Sequence, residues 1–243
     1  MNNGDATVAS TAVVTGAAGW LGQNLVRALA ADARRRRIRC LVHCADDAAM
    51  LDVVSPRIET LVGDVRDPSV IDALFDGVGR ASVFHAAAVI HPARFVRELF
   101  DVNVGGTQLV LDRARRVGAP RFIHVSSNSP FGANASAADV FDEDSPYAPY
   151  MGYGQSKMEA EQLVRRSCER GDLATVIVRP PWFYGPFQPE RQTTFFASVR
   201  RGTFPLLAPG TQRRSMVYTG NLVQGMLLAE SAPAAPGHRY WIA

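Results

Sequence analysis

Tyr153 and Lys157 stand four residues apart in the run Tyr153-Gly154-Gln155-Ser156-Lys157. On a helix, that spacing puts both side chains on one face. A phenol titrates near pH ~10, and a neighbouring ammonium favours its ionised form. The two together make an acid/base that can exchange a proton with a carbonyl or alcohol oxygen. Of the 26 Lys plus Arg, Lys157 is the only lysine. The planar fork of an arginine is a poor substitute for a compact ammonium, so a lone lysine four residues after a tyrosine points to chemistry. Tyr147 and Tyr150 have Met151 and Gly154 at that spacing, and are expected at most at the pocket mouth. Ser126 and Ser127 end an apolar run that starts at Arg121. A hydroxyl at that point can hold a substrate oxygen by hydrogen bonding.

A second constellation lies near the chain start. Val13-Val14-Thr15-Gly16-Ala17-Ala18-Gly19-Trp20-Leu21-Gly22 runs from an apolar strand pattern into a helical one. Glycines at 16, 19 and 22 permit a tight turn, a close approach of backbone to phosphate, and close packing of helix on strand. The helix N-terminus then offers free N–H groups and the positive end of its dipole to a pyrophosphate. Gly16, Ala18, Gly19, Trp20 and Leu21 are therefore candidate cofactor-binding residues, and a dinucleotide is the expected cofactor.

These groups need a scaffold, and the chain has the pattern for one. Strands are expected at Thr11–Thr15, Ile38–His43, Ile58–Val62, Ser82–Ala86, Arg121–Ser126 and Ala174–Val178. Helices are expected at Leu21–Ala31, Pro68–Phe75, Phe95–Arg116 and Gly152–Arg170. Continuous Val/Ile/Leu strands alternating with helices predict an α/β fold, a parallel sheet covered on both faces, with ligands at the carboxyl ends of the strands. After Pro180 the alternation stops, and Pro, Gly and aromatics are dense up to Pro209. The expected organisation is a flexible N-terminus over 1–10, a dinucleotide-binding domain over 11–179, and a substrate-binding portion with returning sheet elements over 180–243. Trp182, Phe183, Phe187, Phe195 and Phe196 are expected to line the substrate.

The TGxxGxxG spacing, followed by the Tyr/Lys pair, resembles the extended short-chain dehydrogenase/reductase family. The runs His85-Ala86-Ala87-Ala88-Val89-Ile90, Asp101-Val102-Asn103-Val104-Gly105-Gly106-Thr107 and Phe122-Ile123-His124-Val125-Ser126-Ser127 look most like its 3β-hydroxysteroid dehydrogenase/isomerase branch. The resemblance covers nearly the whole chain. It implies a Rossmann-type doubly wound parallel sheet and a nicotinamide cofactor. It further implies that Asp64 and Val65 hold the adenine and that Ala86, Ala87 and Ala88 form a small-residue bed beneath the dinucleotide. Ser127, five residues before Gly132, would fix the substrate oxygen, and Asn103 would support a water-linked proton path. Lys157 would hold the nicotinamide ribose and lower the phenol pKa, and Pro180 would cover the nicotinamide. Members of the family usually continue past a strand formed by His238 to Ile242, so the small substrate-binding portion is expected either to be a shortened variant or to lack part of the substrate lid. A homodimer is a further implication.

An acid at the end of the second strand would favour NAD. That strand ends Leu41-Val42-His43-Cys44 without one. NADP-using family members often carry Arg where His43 falls, so NADP(H) is favoured, with NAD(H) as the other possibility. Asp46 and Asp47, slightly further on, would oppose a phosphate there. Three functions fit these residues. The first is a ketone reductase or alcohol dehydrogenase acting on a small-molecule carbonyl or alcohol substrate, an apolar or moderately polar ketone being the better fit. The second is a nucleotide-sugar epimerase or dehydratase, with Arg191, Arg213 and Arg214 for the diphosphate, although the segment after Arg179 lacks the asparagine usual there. The third is a dinucleotide-sensing regulator, a type that typically loses the Tyr/Lys pair.

Bulk properties narrow the setting. Hydrophobic residues at 47% and charged residues at 20% suit a globular protein. The net charge of +3 comes without a nucleic-acid motif, and the run Arg34–Arg37 reads as a solvated helix end. Cys40, Cys44 and Cys168 lack CxxC spacing, so neither a zinc site nor a disulfide framework is expected. With no apolar run of spanning length and a polar N-terminus, the expected location is the cytoplasm.

Overall fold

The computed structural model describes residues 8–91, 96–134, 136, 139–205, 210 and 213–243. Phe95 and Pro209, and most of the N-terminal segment, lie outside the described residues. The first half alternates as expected. It comprises β1 (Thr11–Thr15), α1 (Trp20–Ala31), β2 (Arg37–Val42), α2 (Ala45–Asp52), β3 (Ile58–Val62), α3 (Pro68–Phe75), β4 (Ala81–His85), α4 (Arg97–Phe100), α5 (Thr107–Arg116) and β5 (Phe122–Val125). The second half comprises α6 (Met151–Glu169), β6 (Thr175–Arg179), β7 (Trp182–Tyr184), α7 (Glu190–Arg200), β8 (Met216–Tyr218), α8 (Thr219–Ser231) and β9 (Arg239–Trp241).

Seven strands form one sheet in the order β3-β2-β1-β4-β5-β6-β9, with every neighbouring pair parallel. Strands β1, β4 and β6 are buried throughout, which is why their sequences are apolar without alternation. Leu25, Val26 and Leu29 of α1 pack with Leu222, Val223 and Met226 of α8 over one face. Ile71 and Leu74 of α3, Val110 of α5 and Val164 of α6 cover the other. Full burial of each such side chain contributes about 1.5–3 kcal/mol. Asp67 caps α3 by accepting the Ser69 N–H at 2.8 Å, with Pro68 at the first helical position.

The order reverses between β1, which continues to β2, and β4. This is the switch point where ligands sit in such sheets. Past Pro180, the chain does two things. Strands β7 and β8 pair separately, while α8 and β9 return to the main sheet. Arg35 corrects the reading of Arg34–Arg37 as a solvated helix end: it lies past α1 and forms a buried ion pair with Glu230 of α8, tying this return to the start of β2.

Two further expectations, both about helices, needed correction. The long helix expected over Phe95–Arg116 is not uniform: between α4 and α5, residues Asp101–Gly106 form a π-helical stretch with wider turns. There Gly106 lies so close to Val65 that a Cβ would meet the Val65 side chain at 2.8 Å. Helix α2 was not expected at all. Its run Ala45–Asp52 buries only Leu51, too little apolar periodicity to show in sequence.

Candidate active site

A cavity of about 670 Å³ opens at the carboxyl ends of β1, β4, β5 and β6. It brings together Gly16, Gly19, Trp20 and Leu21 of the glycine turn, Ala86 and Ala88 after β4, Ser127 after β5, Tyr153 of α6 and Pro180 after β6. Trp182, Phe183, Arg191 and Arg214 also line it, whereas Phe187, Phe195, Phe196 and Arg213 do not. Residues that sequence reasoning missed include His91, Asn128 and Gln192. His91 and Asn128 sit in loops and Gln192 in the first turn of α7, with no motif to mark them.

The turn from β1 into α1 fits a dinucleotide. Gly16 has φ +69°, and a Cβ there would lie 2.7 Å from the Ala87 nitrogen. At Gly22 a Cβ would lie 2.1 Å from the Gly16 carbonyl oxygen. Glycine thus presses the turn onto the Ala86–Ala88 bed on one side and α1 onto the turn on the other. The N-cap of α1 is Gly19, which has no side chain to take the first-turn N–H groups. An anionic diphosphate is the natural partner for such a terminus.

Tyr153 and Lys157 share one face of α6, but they look in different directions. The Lys157 ammonium is buried and donates to the Val125 carbonyl at 2.7 Å. Burial lowers its pKa to about 8, with Glu161 opposing. Tyr153 faces the cavity. Burial raises its pKa, with the Ser127 hydroxyl opposing. The expected lowering of the phenol by Lys157 is therefore not found, because the ammonium is drawn to the β5 backbone. Its charge acts instead on His85 and His124.

Asn103, in the π-helical stretch, is buried and fully engaged. Its amide accepts from Val89 N–H at 2.8 Å and donates to Val89 C=O at 2.9 Å and to Ser156 Oγ at 2.9 Å. It splices the loop after β4 to α6. Behind it runs a chain invisible to motif reading. Thr107 Oγ1 donates to Asn103 C=O at 2.6 Å, so it must accept from His85 Nε2 at 2.8 Å. His85 Nδ1 then accepts from Thr15 Oγ1 at 2.7 Å. His85 is held neutral by burial, its pKa lowered to about 3, with Lys157 adding to the effect. The His124 ring stacks on His85 at 5.5 Å, and neither of its nitrogens has a hydrogen-bond partner among the described residues.

The adenosine side is arranged less as expected. Asp64 accepts from the Arg66 backbone N–H at 2.8 Å and is clamped by the Arg66 guanidinium at 2.5–3.0 Å. These bonds hold its carboxyl below the usual range. His43 is exposed just past β2 and near enough to act on Asp64. Asp46 and Asp47 occupy the first turn of α2. Ala18, His43, Asp64, Val65, Ala87, Asn103 and Lys157 stand behind or beyond the cavity wall rather than on it. Among the described residues, no cluster of His, Cys, Asp and Glu could hold a metal ion, and no helix is long and apolar enough to cross a membrane.

Comparisons place this geometry. A 41% identical relative is the uncharacterized protein y4nL of Sinorhizobium fredii, aligned over 95% of this chain and 67% of the relative. The 3 beta-hydroxysteroid dehydrogenase/Delta 5-->4-isomerase of Mycobacterium tuberculosis is 32% identical over 95% of this chain and 64% of its own length. The chain thus spans about two thirds of these relatives. Among solved structures, the dTDP-glucose 4,6-dehydratase DesIV of Streptomyces venezuelae, with NAD and TYD bound, superposes with a TM-score of 0.81 at 28% identity. It covers 96% of this chain and 75% of that one. Residues 12–243 match the NAD dependent epimerase/dehydratase family, and the chain belongs to it.

Proposed function

We propose that the protein is an NAD(P)-dependent oxidoreductase that interconverts a ketone and a secondary alcohol. The observation that carries this reading is the meeting of Tyr153, Ser127 and the glycine turn in one cavity. A bound nicotinamide would supply or accept the hydride. Gly16, Gly19, Trp20 and Leu21 would hold the dinucleotide, with Ala86 and Ala88 beneath it. Tyr153 would pass the proton at its phenol oxygen, and Ser127 would fix the substrate oxygen. Lys157 would hold positive charge below the site, with Asn103 keeping α6 in register with the Ala86–Val89 loop. Trp182 and Phe183 give the cavity an apolar wall, which supports a ketone of low polarity. The likeness to a 3β-hydroxysteroid dehydrogenase supports the same substrate class.

For the cofactor, His43 favours NADP(H). Asp46 and Asp47, in the first turn of α2 just past His43, would oppose a 2′-phosphate held there, which supports NAD(H) as the better partner. A second reading is redox-neutral epimerase or dehydratase chemistry on a nucleotide sugar. Its support is Arg191 and Arg214 in the same cavity.

The test is a screen of apolar ketones and secondary alcohols, read by nicotinamide absorbance, with Tyr153→Phe as control. Turnover by the native chain that the variant loses supports the reductase. No turnover of any of them, together with conversion of a nucleotide sugar seen by mass spectrometry, would replace it with the second reading.

A further inference from the structure

Helix α1 has two working faces. Leu21, Leu25 and Leu29 pack into the core. Trp20, Asn24 and Arg27, at spacings of four and three, form a separate stripe that the core does not need. All three reach one segment, Phe183–Phe187. The Trp20 indole N–H donates to the Pro186 carbonyl at 2.9 Å, and the Asn24 amide donates to the same oxygen at 3.0 Å. The Trp20 ring lies 4.4 Å from that of Phe183, and the Arg27 guanidinium sits 4.3 Å over Phe187. Gly185 at φ +144° and Phe187 at φ +63° flank Pro186 and turn its carbonyl toward α1. The segment is anchored at both ends, by the pairing of β7 with β8 and by the start of α7.

The position of this segment gives it a role. The cavity is lined by the glycine turn and Trp20 and, from the side of this segment, by Phe183 with Trp182 and Pro189 beside it, and the Trp20 and Phe183 rings meet at its edge. Resting on the dinucleotide reading of that turn, we propose that Trp20 and Asn24 form a clasp. It holds Phe183–Phe187 as a strap across the cofactor, and undoing it sets the rate of dinucleotide exchange. Two donors on one carbonyl make the closed state favourable without preventing it from opening.

The experiment measures NADH association and release by stopped-flow fluorescence, with ADP-ribose as the displacing ligand, on the full chain and its variants. Trp20→Phe keeps the ring contact and loses the N–H, and Asn24→Ala removes the other donor. In the double variant, release is expected to speed up about tenfold or more, each lost hydrogen bond contributing a few-fold. Association is expected to rise with it, so that Kd moves less than the release rate. If the double variant fails to fold, Asn24→Ala alone, half-buried and outside the core, is expected to show a rise of about threefold. Native binding with unchanged release in the variants overturns the clasp and leaves the cofactor reading standing. A weaker Kd with no faster association also overturns it, because that is the signature of a merely structural contact. A native chain that does not bind NADH overturns the cofactor reading and the clasp together.

Discussion

Substituting alanine at Gly22 tests whether the turn is built for close approach. The new Cβ would fall 2.1 Å from the Gly16 oxygen and 2.6 Å from the Ala17 oxygen, both backbone atoms, where ordinary contact begins near 3.4 Å. Helix α1 must then retreat by more than 1 Å (3.4 − 2.1). Such overpacking costs about 1–3 kcal/mol. Alanine recovers up to about 1 kcal/mol of helix propensity. The net loss is up to about 2–3 kcal/mol, a Tm drop of up to roughly 10 °C at this chain length. The first-turn N–H groups move with the helix, so NADH affinity should fall at least about tenfold, a loss of about 1.4 kcal/mol of binding. Gly77→Ala is the control. It has φ +62° and nothing within 4 Å, so it adds backbone strain without displacement. Thermal unfolding and NADH titration read both variants. A Gly22→Ala protein with native Tm and native affinity would refute the reasoning, as would an equal loss of affinity in Gly77→Ala.

Three other predictions rest on side chains. Tyr153→Phe should cut turnover about 10²–10⁴-fold while leaving NADH affinity within about threefold, as checked by steady-state kinetics and titration; retained turnover would remove the phenol from the mechanism. The Lys157 pKa is lowered to about 8, so the ammonium is lost as pH rises through that value; the alkaline limb of the rate profile should fall near pH 8, and a flat profile to pH 10 would contradict it. His85 is held neutral, with a folded pKa of about 3 against its usual 6.5. Between those values the unfolded chain binds the extra proton, so stability falls as pH drops below 6.5, by about 3 kcal/mol at pH 4.5 from this group. Urea midpoints at pH 7 and 4.5 measure that loss, and equal midpoints would sink it.

What sequence revealed follows from how local each signal is. The glycine turn and the Tyr153/Lys157 pair are legible because spacing within a few residues fixes their geometry. The sheet was legible for the same reason, since strands buried on both faces need unbroken apolar runs. The pairing of β7 with β8 was hidden because Trp182–Tyr184 meets Met216–Tyr218 across a long stretch of sequence, with only three residues on each side. The Thr15–His85–Thr107 chain was hidden because its members lie on three elements and carry no shared motif. The direction of Lys157 depends on the Val125 carbonyl, which helical spacing alone does not locate.

The most direct measurement is titration of the purified chain with NADH and, separately, NADPH, following reduced-nicotinamide fluorescence. The glycine turn, the free α1 terminus and the α2 carboxylates lead to saturable binding of both, with NADH tighter. A folded chain that gives no saturable signal with either nucleotide would contradict the proposal that this cavity is a working oxidoreductase site.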